Sequence, residues 1–168
     1  MKAIILAAGI GKRLRPLTNK VPKCLIEING RPILSYLIEN FLHYGVKDII
    51  FAVGYLDKSI KRFMAKNFPQ VNTTYINNPK YESTNTIYSL WLLKDVIDDD
   101  MVLVHGDMIF EKRLLGKLLK HKNGSYALVN NEVEPPEKDF KVKIENGLIK
   151  KIGVKPIYIN DGLKNKIN

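Results

Sequence analysis

Along most of the 168-residue chain, short apolar runs alternate with stretches whose apolar residues recur every three or four positions. A short apolar run bounded by polar or glycine positions reads as a strand buried on both faces, and the wider spacing reads as a helix with one apolar side. Strands are therefore expected at 3–7, 48–53, 72–76 and 101–105. Pro32 is expected to open a helix with Ile33, Leu34, Leu37, Ile38, Phe41 and Leu42 on one face, ended by Gly45. A second helix is expected over 57–67 with Ile60, Phe63 and Met64 inward. A third follows a cap at Ser83 or Thr84, with Ile87, Leu90 and Trp91 toward the core, and a fourth spans about 112–120. Residues 126–129 read as another strand, and 141–145 and 148–152 flank Asn146-Gly147, a type I′ hairpin signal. Strands alternating with helices imply βαβ units and a parallel sheet. The stretch 9–31, broken by Gly9, Gly11, Pro16, Pro22 and Gly30, reads as one long loop, a feature often tied to function.

Composition narrows the classes. Hydrophobic residues make up 45% of the chain, but no apolar run approaches a membrane span, so no membrane partner is expected. The apolar start at 1–6 is followed at once by glycine and charge, which suits a buried strand and not a signal peptide. Cys24 is the one cysteine, so an internal disulfide is excluded and a reducing cytoplasm is the expected setting. A net charge of +10 fits either an anionic partner or a solvated basic surface. The lysines are scattered, with crowding at Lys150, Lys151, Lys155, Lys164 and Lys166. With no arginine block, RNA-recognition signature or zinc spacing, a nucleic-acid partner is not expected. His43, His105 and His121 lack the spacing of a metal site or a catalytic triad, and Cys24 reads as a small core residue.

The string Leu6-Ala7-Ala8-Gly9-Ile10-Gly11-Lys12-Arg13 leaves the first strand and enters the long loop. Small residues let backbone approach a bulky anion, and successive N–H groups in such a bend can cradle phosphate oxygens. Arg13 adds a fork donor and Lys23 a point charge farther along. A dinucleotide fingerprint would need glycine at Leu14, and a Walker A loop would need glycine at Leu6 and a hydroxyl at Arg13, so neither fits. Gly-x-Gly after a strand also marks ordinary turns. Asp107, at the carboxyl end of an expected strand, likewise reads either as a cap in a Gly-Asp turn or as a hard ligand for Mg²⁺.

The longer string, running on through Leu14-Arg15-Pro16-Leu17-Thr18, Pro22-Lys23 and Gly30-Arg31-Pro32-Ile33-Leu34, resembles the signature of the sugar-phosphate nucleotidylyltransferases. Residues 81–90, Tyr-Glu-Ser-Thr-Asn-Thr-Ile-Tyr-Ser-Leu, resemble the choline-phosphate and inositol-phosphate cytidylyltransferase branch, where the sugar enzymes carry a glycine-rich segment. The resemblance implies a three-layer α/β/α sandwich with a Rossmann-like, mainly parallel sheet and a site at the carboxyl strand ends. It implies a catalytic core over 1–155 with 156–168 as a tail. It further implies that a nucleoside triphosphate, CTP being favoured, is held by Leu6, Ala7, Ala8, Gly9, Gly11 and Lys12. Arg13 would hold the leaving pyrophosphate, Lys23 the α-phosphate and acceptor phosphate, and Asp107 the Mg²⁺ cofactor. Asn78, Ser83 and Asn85 become candidates for base or acceptor contacts, against plain helix capping. The acceptor is a small phosphorylated compound such as phosphocholine; a sugar 1-phosphate and a nucleotide-binding form without turnover are the alternatives. A quaternary ammonium would want an aromatic cage, and Tyr81, Tyr88 and Trp91 are near in sequence, although Trp91 reads as core. The family usually has a second metal-binding carboxylate farther on, and here only Asp161 follows the hairpin, in surroundings that do not match. Homo-oligomerisation is left open.

Overall fold

The computed structural model describes residues 1–121, 124–130 and 141–153. The elements in chain order are β1 (Lys2–Ala7), β2 (Glu27–Ile28), β3 (Arg31–Pro32), α1 (Ile33–His43), β4 (Asp48–Val53), α2 (Asp57–Asn67), β5 (Asn72–Asn77), α3 (Thr86–Trp91), β6 (Met101–His105), α4 (Lys112–Leu119), β7 (Lys141–Glu145) and β8 (Leu148–Gly153). Two compact units divide between Lys120 and His121. The boundary expected at 155, the tail 156–168, Asp161 and the lysines at 155, 164 and 166 lie outside the described residues.

In the first unit a four-stranded sheet runs β5-β4-β1-β6, with every neighbouring pair parallel. β1 and β4 are central, so both their faces are covered, and Ala3, Ile4, Ile5 and Phe51 have no exposed surface. That is why they read as unbroken apolar runs. β6 is an edge strand of this sheet and alternates: Val102 and Val104 are buried, Met101 and Leu103 exposed. Odd positions of β1 pack with Phe51 and Val104 against Leu37 and Phe41 of α1, Ile60 and Met64 of α2, and Leu115 of α4. Even positions pack with Ile50 and Ala52 against Leu93, just past α3. Helices on both faces of a parallel sheet make the expected Rossmann-like α/β fold, and no helix among the described residues is long and apolar enough to cross a membrane.

Five local expectations need correction. Neither Ser83 nor Thr84 caps α3: Asn85 Oδ1 accepts the N–H groups of Ile87 at 3.1 Å and Tyr88 at 3.3 Å. The inward face shifts as well, with Ser89 and Leu93 buried while Ile87 and Trp91 are 70% and 55% exposed. A six-residue helix has too few turns for apolar spacing to set its phase, and Trp91 instead stacks on Tyr88 with the rings 5.7 Å apart. The stretch 9–31 is not one loop: it holds 3₁₀ turns at Lys12–Leu14, Leu17–Asn19 and Lys23–Leu25 and the short β2–β3 ladder. Prolines that forbid an α-helix still permit these single turns. Pro32 sits at the cap one residue before α1, in extended geometry. Residues 126–129 form no strand, and Tyr126 stacks on His121 with the rings 4.1 Å apart. The β7–β8 hairpin forms as expected around Asn146 and Gly147, whose φ values of 52° and 74° suit a type I′ turn.

Candidate active site

The chain leaves β1 toward β4 on one side and reaches β6 on the other, so the strand order reverses between β1 and β6. In open parallel sheets ligands bind in the crevice at such a switch point, beyond the carboxyl ends of the strands. There a cleft of ≈770 Å³ opens in the first unit. One side is the loop after β1, another the 78–89 segment after β5, and the floor is the end of β6.

Close approach at the floor depends on Gly106. Its N–H donates to the Leu6 carbonyl at 2.9 Å. A Cβ there would lie 3.2 Å from Ala7 Cβ and 3.3 Å from Cys24 Cβ, tighter than packing normally allows. The bare backbone lets the Lys23–Leu25 turn settle against the β6 end, with Cys24 as its buried anchor. Burial pushes the Cys24 thiol up to about 12, so it stays protonated and works as a small apolar residue, as expected from the sequence. The consequence is that the Lys23 ammonium reaches Asp107 and donates to its Oδ2. Two groups 84 positions apart in sequence thus meet as a half-exposed ion pair inside the cleft.

Lys12, Arg13 and Lys23 give the cleft three cations against the single carboxylate of Asp107. Lys12 and Arg13 have no ion pair or hydrogen-bonding side-chain partner among the described residues, so both charges are open to the solvent of the cleft. The opposite wall carries no charge. Asn78, only 1% exposed, organises it: Nδ2 donates to Thr84 Oγ1 and to Ser89 Oγ, both at 3.0 Å, while Oδ1 accepts the Lys80 N–H at 2.8 Å. Its amide is therefore spent inside the protein.

Leu6, Ala7, Ala8, Gly9, Gly11, Lys12, Arg13, Lys23, Asn78, Asn85 and Asp107 all line this one cleft. Ser83 does not; its hydroxyl turns to the Lys80 carbonyl at 3.4 Å. Sequence reasoning missed Thr84, Thr86, Ser89 and His105 as site residues, which also line it. His105 was discounted for want of a partner at metal or triad spacing, yet its place at the end of β6 beside Leu6 was the available signal. Tyr88 and Trp91 lie outside the lining, so of the three aromatics considered for a cage only Tyr81 faces the cleft.

A glycine-containing bend, three cations and one hard carboxylate at the switch point of a parallel sheet mark an α/β protein whose cleft suits an anionic ligand. The chain belongs to the nucleotidyl transferase family, whose model matches residues 2–152. It is 37% identical over 120 residues to the choline-phosphate cytidylyltransferase of Streptococcus pneumoniae, covering 71% of this chain and 51% of that protein. It is 34% identical over 127 residues to a UTP–glucose-1-phosphate uridylyltransferase of Haloferax volcanii, covering 76% of this chain and 51% of the other. The chain thus spans about half the length of these two relatives. The fold is shared with the inositol-1-phosphate CTP transferase from T. maritima, at a TM-score of 0.76 and 23% identity, over 99% of this chain and 66% of that one.

Proposed function

We propose that the protein transfers a nucleotidyl group, CMP from CTP, to a small phosphorylated acceptor such as phosphocholine. The observation that carries this reading is the convergence of Lys12, Arg13 and Lys23 with Asp107 around the bend after β1. An acceptor phosphate oxygen attacks the α-phosphorus in line, the α-phosphorus–oxygen bond to the β-phosphate breaks, and pyrophosphate leaves. Little covalent work falls to the protein in such a reaction, so positioning and charge neutralisation dominate. Backbone N–H groups at Gly9 and Gly11 face the phosphates, Arg13 holds the pyrophosphate, and Lys23 bridges the α-phosphate and the acceptor phosphate.

Mg²⁺ fits the donor set. Asp107 offers a hard oxygen beside the phosphate bend, and among the described residues no cluster of three or more metal-ligating side chains forms a dedicated cage. One carboxylate plus substrate phosphates is the usual way this ion is held, and it would supply charge neutralisation of the phosphates. On this reading Lys23 exchanges Asp107 for a phosphate when the substrate binds. The single buried thiol suits a cytoplasmic setting.

CTP is favoured by the 81–90 segment and by the pneumococcal relative. The similarity to a uridylyltransferase favours a second reading, transfer of UMP to a sugar 1-phosphate. Pyrophosphate release measured with CTP, UTP and dTTP against phosphocholine, inositol 1-phosphate and glucose 1-phosphate separates them. CTP with phosphocholine should be fastest. Fastest turnover with UTP and glucose 1-phosphate moves the assignment to the second reading, and nucleotide binding without release from any pair leaves a binding form without turnover.

A further inference from the structure

Tyr55, the second residue after β4, is not part of the cleft lining, yet it touches the bend that lines it at both ends. Its backbone N–H donates to the Ala8 carbonyl at 3.2 Å, where the chain leaves β1. Its phenol lies 3.0 Å from the carbonyl oxygens of both Thr18 and Asn19, where the same stretch ends. Thr18 passes the link inward: fully buried, it donates its hydroxyl to the Gly11 carbonyl at 2.9 Å. A single tyrosine therefore staples residue 8 to residues 18 and 19, and Thr18 staples that point to the middle of the bend.

The neighbour before it makes this geometry available. A Cβ on Gly54 would sit 2.9 Å from the Ala8 carbonyl oxygen and 2.7 Å from Tyr81 Cβ, so a side chain there would push the bend or the 78–89 wall away. The rings of Tyr55 and Tyr81 lie 6.2 Å apart, which ties the staple to the opposite side of the cleft.

We propose that Tyr55 is a positioning residue for the phosphate end of the cleft: acting with Thr18, it holds the 8–19 stretch in the curvature that aims Arg13 and the Gly9–Gly11 backbone at a polyphosphate. The inference rests on the nucleotidyl-transfer reading for the identity of that polyphosphate. An ordered bend loses less conformational freedom on binding, so the staple acts on affinity for the phosphates and not for the base.

Tyr55→Phe deletes one hydroxyl and Thr18→Val cuts the next link, and each is compared with the wild type in two measurements. Calorimetry with CTP and with cytidine should show CTP affinity about five- to ten-fold weaker in each variant. The double variant should be no worse than about the poorer single one, because both changes break one relay. Cytidine affinity and the KM for the acceptor should not move. Amide hydrogen exchange of the ligand-free protein should quicken at residues 9–19 while β1 and β4 keep wild-type protection. Unchanged CTP affinity and exchange in both variants would overturn the proposal, as would equal loss for CTP and cytidine, which marks a general structural role. Should Tyr55→Phe fail to fold, Thr18→Val reads the same relay. A wild type that binds no nucleoside triphosphate sinks the functional reading, while the exchange data still decide whether Tyr55 orders the bend.

Discussion

The loop at 8–23 brings Lys12, Arg13 and Lys23 into the cleft on exposed or half-exposed side chains, whereas the wall at 78–89 brings no charge and is set from below by a buried amide. On the loop side, the cleft is bordered by backbone and cations contributed by one contiguous string, with a staple from Tyr55 behind it. On the wall side, Asn78 holds Thr84 and Ser89 in place, and hydroxyl and amide groups of Thr84, Asn85, Thr86 and Ser89 border the space. Charge complementarity to phosphate is the same for any triphosphate, but a neutral hydrogen-bonding wall can discriminate between bases and acceptors. In the proposed function the loop is the general half of the site and the wall the selective half.

Removing a cation from the loop should have the largest effect on turnover. Lys23→Ala should lower transfer by about 100- to 1,000-fold, the scale of losing one preorganised charge at a reacting phosphate, while nucleotide still binds. Steady-state rates beside a nucleotide titration check this, and unchanged transfer would remove Lys23 from its role.

The wall should answer with stability first. Asn78→Ala strips partners from the Thr84 and Ser89 hydroxyls and the Lys80 N–H, and should cost about 2–3 kcal/mol in urea unfolding. Any turnover that remains should show a changed preference among acceptors or bases with the phosphate dependence kept. A milder perturbation of the same wall is Asn85→Ala, which deletes the α3 cap and should cost about 1 kcal/mol.

The smallest effect lies at the opposite end of the sheet, where the Met1 ammonium bonds Asp99. That hydrogen bond lowers the Asp99 carboxyl and raises the ammonium from their ordinary values. A lowered acid contributes stability that is lost as pH falls through its folded value, and a raised ammonium contributes stability that is lost as pH rises through its own. The pair should therefore act as a shallow plateau between about pH 4 and pH 8. Asp99→Asn should flatten both shoulders of the melting temperature against pH and leave turnover alone, since both groups are exposed and far from the cleft in the fold.

The contrast between loop and wall also explains what the sequence disclosed. Strand and helix positions in β1, α1, β4, α2 and β6 were legible because long, strongly patterned segments state their own burial. The place of the bend's residues in one cleft was legible because they are adjacent in the chain and directly follow a plainly apolar strand. The wall was legible only at Asn78 and Asn85 and, as an aromatic, Tyr81, because its phase depends on contacts that periodicity cannot see. Asn78 reaches Ser89 eleven positions away, Asn85 takes the capping place expected of Ser83 or Thr84, and Trp91 turns outward to stack on Tyr88. The Lys23–Asp107 pair was hidden for the same reason: each residue was identified alone, but only the parallel register of β1 with β6 and the bare Gly106 bring them together.

The most direct measurement is the structure of this chain crystallised with CTP and Mg²⁺. The account predicts triphosphate density along residues 8–13, Arg13 on the terminal phosphates, and Lys23 parted from Asp107 to reach the α-phosphate. Nucleotide bound elsewhere, or a bound nucleotide with the Lys23–Asp107 pair intact and turned away from it, would contradict it.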